Sequence, residues 1–148
     1  MSEATIKAVI TETLEGVTGI GVVHGRRRYS RSLAAYLELM RAGGIVNGCF
    51  VHRAACPAQP TDWPYITRSH RFILSFIYEL DDAGNSSDDF QALLDAVFDA
   101  FKSDLQLGGT CLDSDPVQFD DIDEMEIGEK IYHTADLALV CRERVTYR

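Results

Sequence analysis

The stretch NSSDDFQALLDAVFDAFK, residues 85–102, decides the fold of this chain. Its apolar residues recur at spacings of three and four, which places them along one stripe of an α-helix. The stripe consists of Phe90, Leu93, Leu94, Val97, Phe98 and Phe101. We expect the whole stripe to be core, so that Phe98→Ala lowers the free energy of unfolding by about 3–5 kcal/mol.

The ends of this helix carry local signals of their own. Ser86, followed three residues later by Asp89, predicts an N-cap with acidic support at the positive end of the helix dipole. Gly108 and Gly109 follow a few residues after Lys102, and they allow the chain to turn back there.

Alternating apolar residues on both sides of the helix predict strands. Arg71–Leu80 alternates before it and Ile131–Glu143 after it, so each strand has one apolar face on which the helix can pack. A strand as long as the second spans about 40 Å, so it should bend at a bulge or project beyond the sheet. Val117–Ile122 is a weaker strand, and it should form a hairpin with the last strand around Met125–Gly128.

The first half of the chain contributes shorter elements. Ala4–Leu14 has the apolar spacing of a helix, and Ser32–Met40 has that of a short helix. Val17–Val23 and Ile45–His52 are short and rich in β-branched residues, and both are predicted to be strands.

This order predicts one α+β domain over residues 1–148. An antiparallel or mixed sheet packs against an N-terminal helix and a central helix at about 86–103, and 148 residues suffice for one core. Variable loops are expected at about 24–32 and 54–66. The second loop has three prolines within eight residues, which predicts irregular backbone there, and Trp63 is expected to plug the core.

The charge of the chain is divided between its halves. Residues 1–71 hold nine Lys and Arg against five Asp and Glu, a net charge of +4. Residues 72–148 hold five against eighteen, a net charge of −13. An acidic chain is a poor general binder of nucleic acid, but a divided one offers complementary surfaces, within one molecule or between copies.

The basic residues of the first half form one cluster, and we hypothesise that it contacts a neighbouring subunit or DNA. The cluster is Arg26, Arg27, Arg28 and Arg31. The alternative is a solvated loop, which is the usual state of such charges.

The acidic residues of the second half are densest between residues 113 and 126. They are Asp113, Asp115, Asp120, Asp121, Asp123, Glu124 and Glu126. The register of a calcium loop is absent, and high local charge on an alternating strand favours exposure over acid–base catalysis. We therefore interpret the stretch as a solvated hairpin rim. The alternative hypothesis is that these acidic residues form a surface that contacts another protein.

No catalytic, metal-binding or cofactor-binding motif is recognised. Cys49, His52 and Cys56 are close in sequence, but no Cys-x-x-Cys pair and no obvious fourth ligand accompany them, so zinc is the weaker interpretation. No motif marks any of the four cysteines as an activated nucleophile. We expect no enzymatic activity, no metal and no cofactor.

The sequence also bears on location. No apolar run approaches the ~20 residues that cross a bilayer, and no basic-plus-apolar leader is visible, so we expect no membrane association. The protein is expected to be made and folded in the cytosol with its thiols reduced.

Residues 70–144, about half the chain, contain a recognisable order of features. They are His70-Arg71-Phe72, the polar turn from Asp81 to Ser87, the Phe90–Phe101 helix, Leu107-Gly108-Gly109, Pro116, and the strand from Tyr132-His133 to Leu139. In this order the chain resembles the tail terminator proteins of long-tailed bacteriophages. The resemblance implies a virion protein assembled in the host cytoplasm, a homo-hexameric ring that caps the tail tube and ends tail polymerisation.

The resemblance also implies partners, namely the tail tube protein and the head–tail connector protein, with non-specific passage of DNA through the ring. The alternative within the virion is a neck or head-completion protein, which joins head and tail. Alternatives of other classes are a cytosolic adaptor and a small enzyme with an unrecognised site. A monomer without ring contacts favours the adaptor, and a polar pocket with perturbed carboxylates favours the enzyme.

Overall fold

The computed structural model describes residues 3–26, 32–81 and 83–146. These ranges contain three helices: α1 (Glu3–Glu15), α2 (Leu33–Leu39) and α3 (Ser86–Lys102). They also contain eight strands, which are β1 (Val22–His24), β2 (Arg41–Ala42), β3 (Ile45–Ala55), β4 (Ala58–Pro60), β5 (Tyr65–Glu79), β6 (Asp113–Ser114), β7 (Gln118–Ile127) and β8 (Lys130–Thr146). None of the helices in these ranges is long and apolar enough to span a membrane.

The long strands β5 and β8 form the centre of a mixed sheet. They are antiparallel, in unbroken register from Tyr65 opposite Thr146 to Glu79 opposite Tyr132. The main path of the sheet is β1-β3-β5-β8-β6, and β7 continues the edge formed by β6 along the first half of β8. Because β1 runs parallel to β3 and the other pairs are antiparallel, the sheet is mixed, as predicted.

The predicted hairpin before the last strand is confirmed. β7 and β8 are joined by the two residues Gly128 and Glu129, since Ile127 pairs with Lys130. Gly128 has a φ of 67°, a left-handed conformation that glycine adopts without steric cost.

The main core lies between one face of the sheet and the helices α1 and α3. The apolar stripe of α1 is buried at Ile6, Ile10 and Leu14. It packs in one cluster with α3 and with alternate residues of the central strands. The predicted α3 stripe is confirmed at Phe90, Leu93, Leu94, Val97 and Phe101, whereas Phe98 is only partly buried at its margin.

The other face of the sheet is covered at one corner by α2. Met40, Val46, Ile77 and Tyr132 form a second, smaller buried cluster there. Ser32 caps α2, since its hydroxyl accepts a hydrogen bond from Ala35 N–H at 3.2 Å.

The predicted cap of the central helix is wrong. Asn85, with a φ of 60°, precedes the helix, and Ser86 is its first residue. The Ser86 hydroxyl is buried, where it accepts a hydrogen bond from Asp81 N–H at 2.7 Å and lies 2.9 Å from His133 Nε2. The side chain thus ties the helix start to β8 instead of capping its own helix.

The irregular loop predicted at 54–66 is also largely wrong. β3 extends to Ala55, and β5 already begins at Tyr65. Between them β4 pairs with β5, and Pro60 is tolerated in it because an edge strand has one side without a ladder partner. Trp63, in the turn between β4 and β5, is 81% exposed, so it does not plug the core.

The strand predicted at Val17–Val23 is shorter than expected. Only Val22–His24 forms a strand, parallel to β3. The residues before it form a turn around Gly19, whose φ is 89°.

Candidate functional site

The acidic strand and Arg26, which is the one described residue of the basic cluster, belong to opposite edges of the sheet. β1 lies at one edge, and the exposed Arg26 follows two residues after its end. The acidic strand β7 lies at the other edge, four strand spacings or about 19 Å away. Of the basic cluster, Arg27, Arg28 and Arg31 lie outside the described residues. The structure therefore tests only the position of Arg26.

Three of the seven acidic residues are ion-paired within the chain. The Arg142 guanidinium contacts Asp113 at 2.6 Å and Asp115 at 2.8 Å. Arg71 contacts Asp120 at 2.8 Å. Hydrogen bonding to Arg142 holds the pKa of Asp115 below its usual value. The negative charges of these three carboxylates are therefore partly balanced by arginines of the same chain.

The other four carboxylates lie on β7 and are exposed, and none of them forms an ion pair with another described residue. They are Asp121, Asp123, Glu124 and Glu126. Cross-strand register places Asp121 and Asp123 on the open face and Glu124 and Glu126 on the helix face. The edge thus presents negative charge on both sides of the strand.

Exposed apolar side chains are interleaved with these charges. Phe119, Ile122 and Met125 on β7 are between 40% and 52% exposed, and Ile131 on β8 is 51% exposed. An isolated exposed apolar residue is common, but three of these four lie on the helix face of one sheet edge, with Met125 on its open face, and such a group is typical of a protein contact. We call β7 with Ile131 the acidic edge.

The uncovered part of the open face holds a shallow polar depression of about 480 Å³. Its floor includes the Arg71–Asp120 ion pair and a 2.9 Å hydrogen bond from Ser75 Oγ to Asp136. The carboxylate with a lowered pKa, Asp115, is not among the lining residues, and a surface arginine causes its shift.

The structure separates the residues of the weak zinc hypothesis. Cys49 is fully buried in the core, whereas His52, three residues later on β3, faces the open side of the sheet. No group of three or more metal-ligand side chains occurs in the parts of the chain that the structure describes.

Sequence reasoning missed a cluster that joins Cys56, His70 and Glu143. These residues come from the β3–β4 connection, β5 and β8, and 14 and 73 positions separate them pairwise. A signal was available only in part: Glu143 occupies a core-facing position in its predicted strand, and His70 lies one residue before the strand predicted at Arg71–Leu80, on the side of its apolar face, where polar residues are unusual.

Comparison with known proteins adds no relative: no protein-family model matches the chain, and no curated protein is significantly similar to it.

Proposed function

We propose that this chain is the ring-forming subunit of a phage tail terminator, a structural protein that caps the tail tube and meets the head–tail connector. The observation that carries the proposal is the acidic edge on the side of the sheet opposite β1, the strand that leads into the basic cluster. The order of elements over residues 70–144, which resembles that family, supports it as well.

Charge on the acidic edge favours a particular kind of self-association. Two copies of β7 placed side by side would repel each other, and charged edge strands generally block such pairing. A basic surface on the next copy is the complementary partner, so the contact uses two different patches. Such head-to-tail contacts generate a ring when the rotation between copies closes. The number of six subunits comes from the family resemblance.

Charge alone contributes little binding energy to this contact. Exposed ion pairs each contribute about 0.2–1 kcal/mol, so they set the register of the contact more than its strength. The exposed apolar residues of the acidic edge supply the larger share, at about 25 cal/mol for each Å² that the next copy covers. The acidic edge carries both components.

A charge-swap experiment tests the proposal. The variant Arg27→Glu/Arg28→Glu should fail to form rings, and so should Asp123→Lys/Glu124→Lys, because each leaves like charges at the contact. A chain carrying all four changes should assemble again, since the attraction is restored with its direction reversed. Mass by light scattering and negative-stain electron microscopy report ring formation.

A matched control separates a local effect from a change in net charge. Glu12→Lys/Asp95→Lys alters the net charge by the same amount as Asp123→Lys/Glu124→Lys, at exposed positions on the two core helices. It should assemble normally. Ile122→Asp should abolish rings in a chain that still folds, at a moderate cost in stability, because the side chain is 40% exposed and belongs to no buried cluster.

Three outcomes count against parts of the proposal. A wild-type chain that is monomeric at all accessible concentrations overturns the ring and favours the adaptor. Normal rings from both charge-reversed variants, with particles that fail to retain or deliver DNA, move the basic cluster to the ring opening, where it contacts phosphates without base specificity. If the charge-reversed variants give normal rings and normal infectivity, the basic cluster is a solvated loop with no role in assembly or DNA contact.

A further inference from the structure

A thiol, an imidazole and a carboxylate are aligned beside β4, away from the acidic edge. Cys56 lies in the short connection between β3 and β4, and its Sγ is 3.5 Å from His70 Nδ1. The other ring nitrogen, His70 Nε2, is 3.0 Å from Glu143 Oε1. His70 is fully buried, Glu143 is 2% exposed, and Cys56 is partly exposed.

The hydrogen-bond partners determine where the imidazole carries its proton. An ionised carboxylate only accepts, so the N–H of the neutral ring lies on Nε2 and donates to Glu143. Arg53 Nη1 lies 3.2 Å from Nδ1, and a guanidinium only donates. Both neighbours therefore leave Nδ1 as a lone pair, which can accept the proton of the Cys56 thiol.

The cations around the cluster complete its electrostatics. Arg68 Nη1 donates to Glu143 at 3.1 Å, so the buried carboxylate is balanced by a guanidinium as well as by His70. Arg53 is exposed and shares the Nδ1 acceptor with Cys56, so a positive charge lies within a few ångströms of the sulfur. Arg53 and Arg68 thus face the site from β3 and β5, with Glu143 opposite on β8.

We infer that Cys56 is a reactive thiol and a site of covalent modification by small anionic disulfides, through thiol–disulfide exchange. A nucleophilic thiol held by a histidine that a carboxylate orients is the general arrangement of activated cysteines. This inference stands apart from the proposed function and does not depend on ring assembly.

The exchange reaction requires no reactant other than the small disulfide. The Cys56 proton passes to His70 Nδ1, which thereby loses its hydrogen bond from Arg53, and Glu143 stabilises the resulting imidazolium. The sulfur then attacks one sulfur of the small disulfide, so that a new S–S bond forms and the old one breaks. The leaving thiolate takes the proton from Nδ1, so one protein thiol is oxidised and the small disulfide yields one thiol.

The other three cysteines provide internal controls. Cys49, Cys111 and Cys141 are buried. Burial raises the pKa of Cys141 to about 12, and it raises the pKa of Cys49 and of Cys111 as well. Buried thiols with raised pKa values react slowly, so modification of the folded chain should be confined to Cys56.

The experiment compares glutathione disulfide, which is anionic, with cystamine, which is cationic, on the folded full-length chain. Peptide mapping by mass spectrometry identifies the modified cysteine. At about pH 6.5, where an ordinary thiol is almost wholly protonated, folded Cys56 should react faster than Cys56 in the urea-unfolded chain. His70→Gln should slow the reaction on the order of tenfold to a hundredfold.

Two further variants make the test specific. Arg53→Gln should slow the reaction of Cys56 with glutathione disulfide more than its reaction with cystamine, because the variant removes a cation near the sulfur. Because Arg53 is exposed, the variant should still fold. Cys56→Ser should abolish modification.

A folded chain whose Cys56 reacts more slowly than in urea overturns the inference, as does an unchanged rate in folded His70→Gln. If His70→Gln fails to fold, the inference is tested by the wild-type chain alone, through the ratio of the Cys56 reaction rates in the folded and the urea-unfolded states.

Discussion

The two phenylalanines at the end of α3 provide a matched test of the core. Phe101 is 2% exposed and belongs to the main core cluster, whereas Phe98 is partly buried at its margin. Their spacing along the helix predicts the same burial for both. The structure therefore predicts that Phe101→Ala destabilises the protein distinctly more than Phe98→Ala.

The difference can be worked out from burial. A fully buried phenylalanine covers about 150–250 Å², and its replacement by alanine costs about 3–5 kcal/mol, including the cavity left behind. Phe98 keeps part of its surface in water and rests edge-on against Phe119, with ring centroids 6.2 Å apart. We expect Phe98→Ala to cost roughly 1–2 kcal/mol, less than the value expected from the helical spacing alone.

Urea denaturation followed by circular dichroism measures both losses. The conservative variant Phe101→Leu should cost less than about 1.5 kcal/mol, and it provides a folded reference if Phe101→Ala is too unstable. A double-mutant cycle between Phe98 and Phe119 should give a coupling of about 0.5–1.5 kcal/mol. Equal losses for the two alanine variants would refute the burial argument, and so would a loss below about 1 kcal/mol for Phe101→Ala.

Three further predictions concern the surface and the backbone. Arg142→Gln should lower stability at neutral pH. Because Asp115 has a lowered pKa in the folded chain, that loss should shrink as the pH falls below the ordinary value of 3.8, where wild type also loses the interaction. Gly21→Ala should destabilise by about 1–3 kcal/mol, since the added Cβ would overlap the carbonyl of Asn47 on the neighbouring strand. Trp63→Ala should change stability by less than about 0.5 kcal/mol, and Trp63 fluorescence should be readily quenched by acrylamide.

Each of these predictions has its own control. Titration of unfolding from neutral to acidic pH, repeated for Lys102→Gln, separates the Arg142 effect from loss of any surface cation. Gly16→Ala is the control for Gly21, because its nearest backbone atom, Thr13 O, would be 3.6 Å from the new Cβ, an ordinary contact. An emission spectrum typical of a buried indole would contradict the exposed position of Trp63.

The strength of local patterns explains which elements were predictable. The α3 stripe and the alternation of β5 and β8 were visible because each face of these elements meets a uniform environment, core or solvent. β4 was not predictable, since a proline-rich segment forms a strand only when a long neighbour offers it an edge. The length of β5, which extends to Tyr65, provides that edge.

The candidate site, too, has features that the sequence predicted and features that it did not. The acidic composition of residues 113–126 and its exposure followed from the sequence, since seven carboxylates in fourteen residues are too costly to bury together. The pairing of Asp113 and Asp115 with Arg142 did not follow, because those partners are 29 and 27 positions apart and meet only across β6 and β8.

By itself, the sequence determined the helix of residues 86–102, the central strands, the α+β class and the division of charge between the halves. These depend on side-chain periodicity and composition, which are properties of contiguous residues. Only the tertiary structure decided that β7 and β1 occupy opposite edges, and that Cys56, His70 and Glu143 meet in one cluster. Such juxtapositions depend on strand order and register, which arise from packing the whole chain, so the alternation of a single strand can mark a residue as core-facing but cannot show which residue it meets.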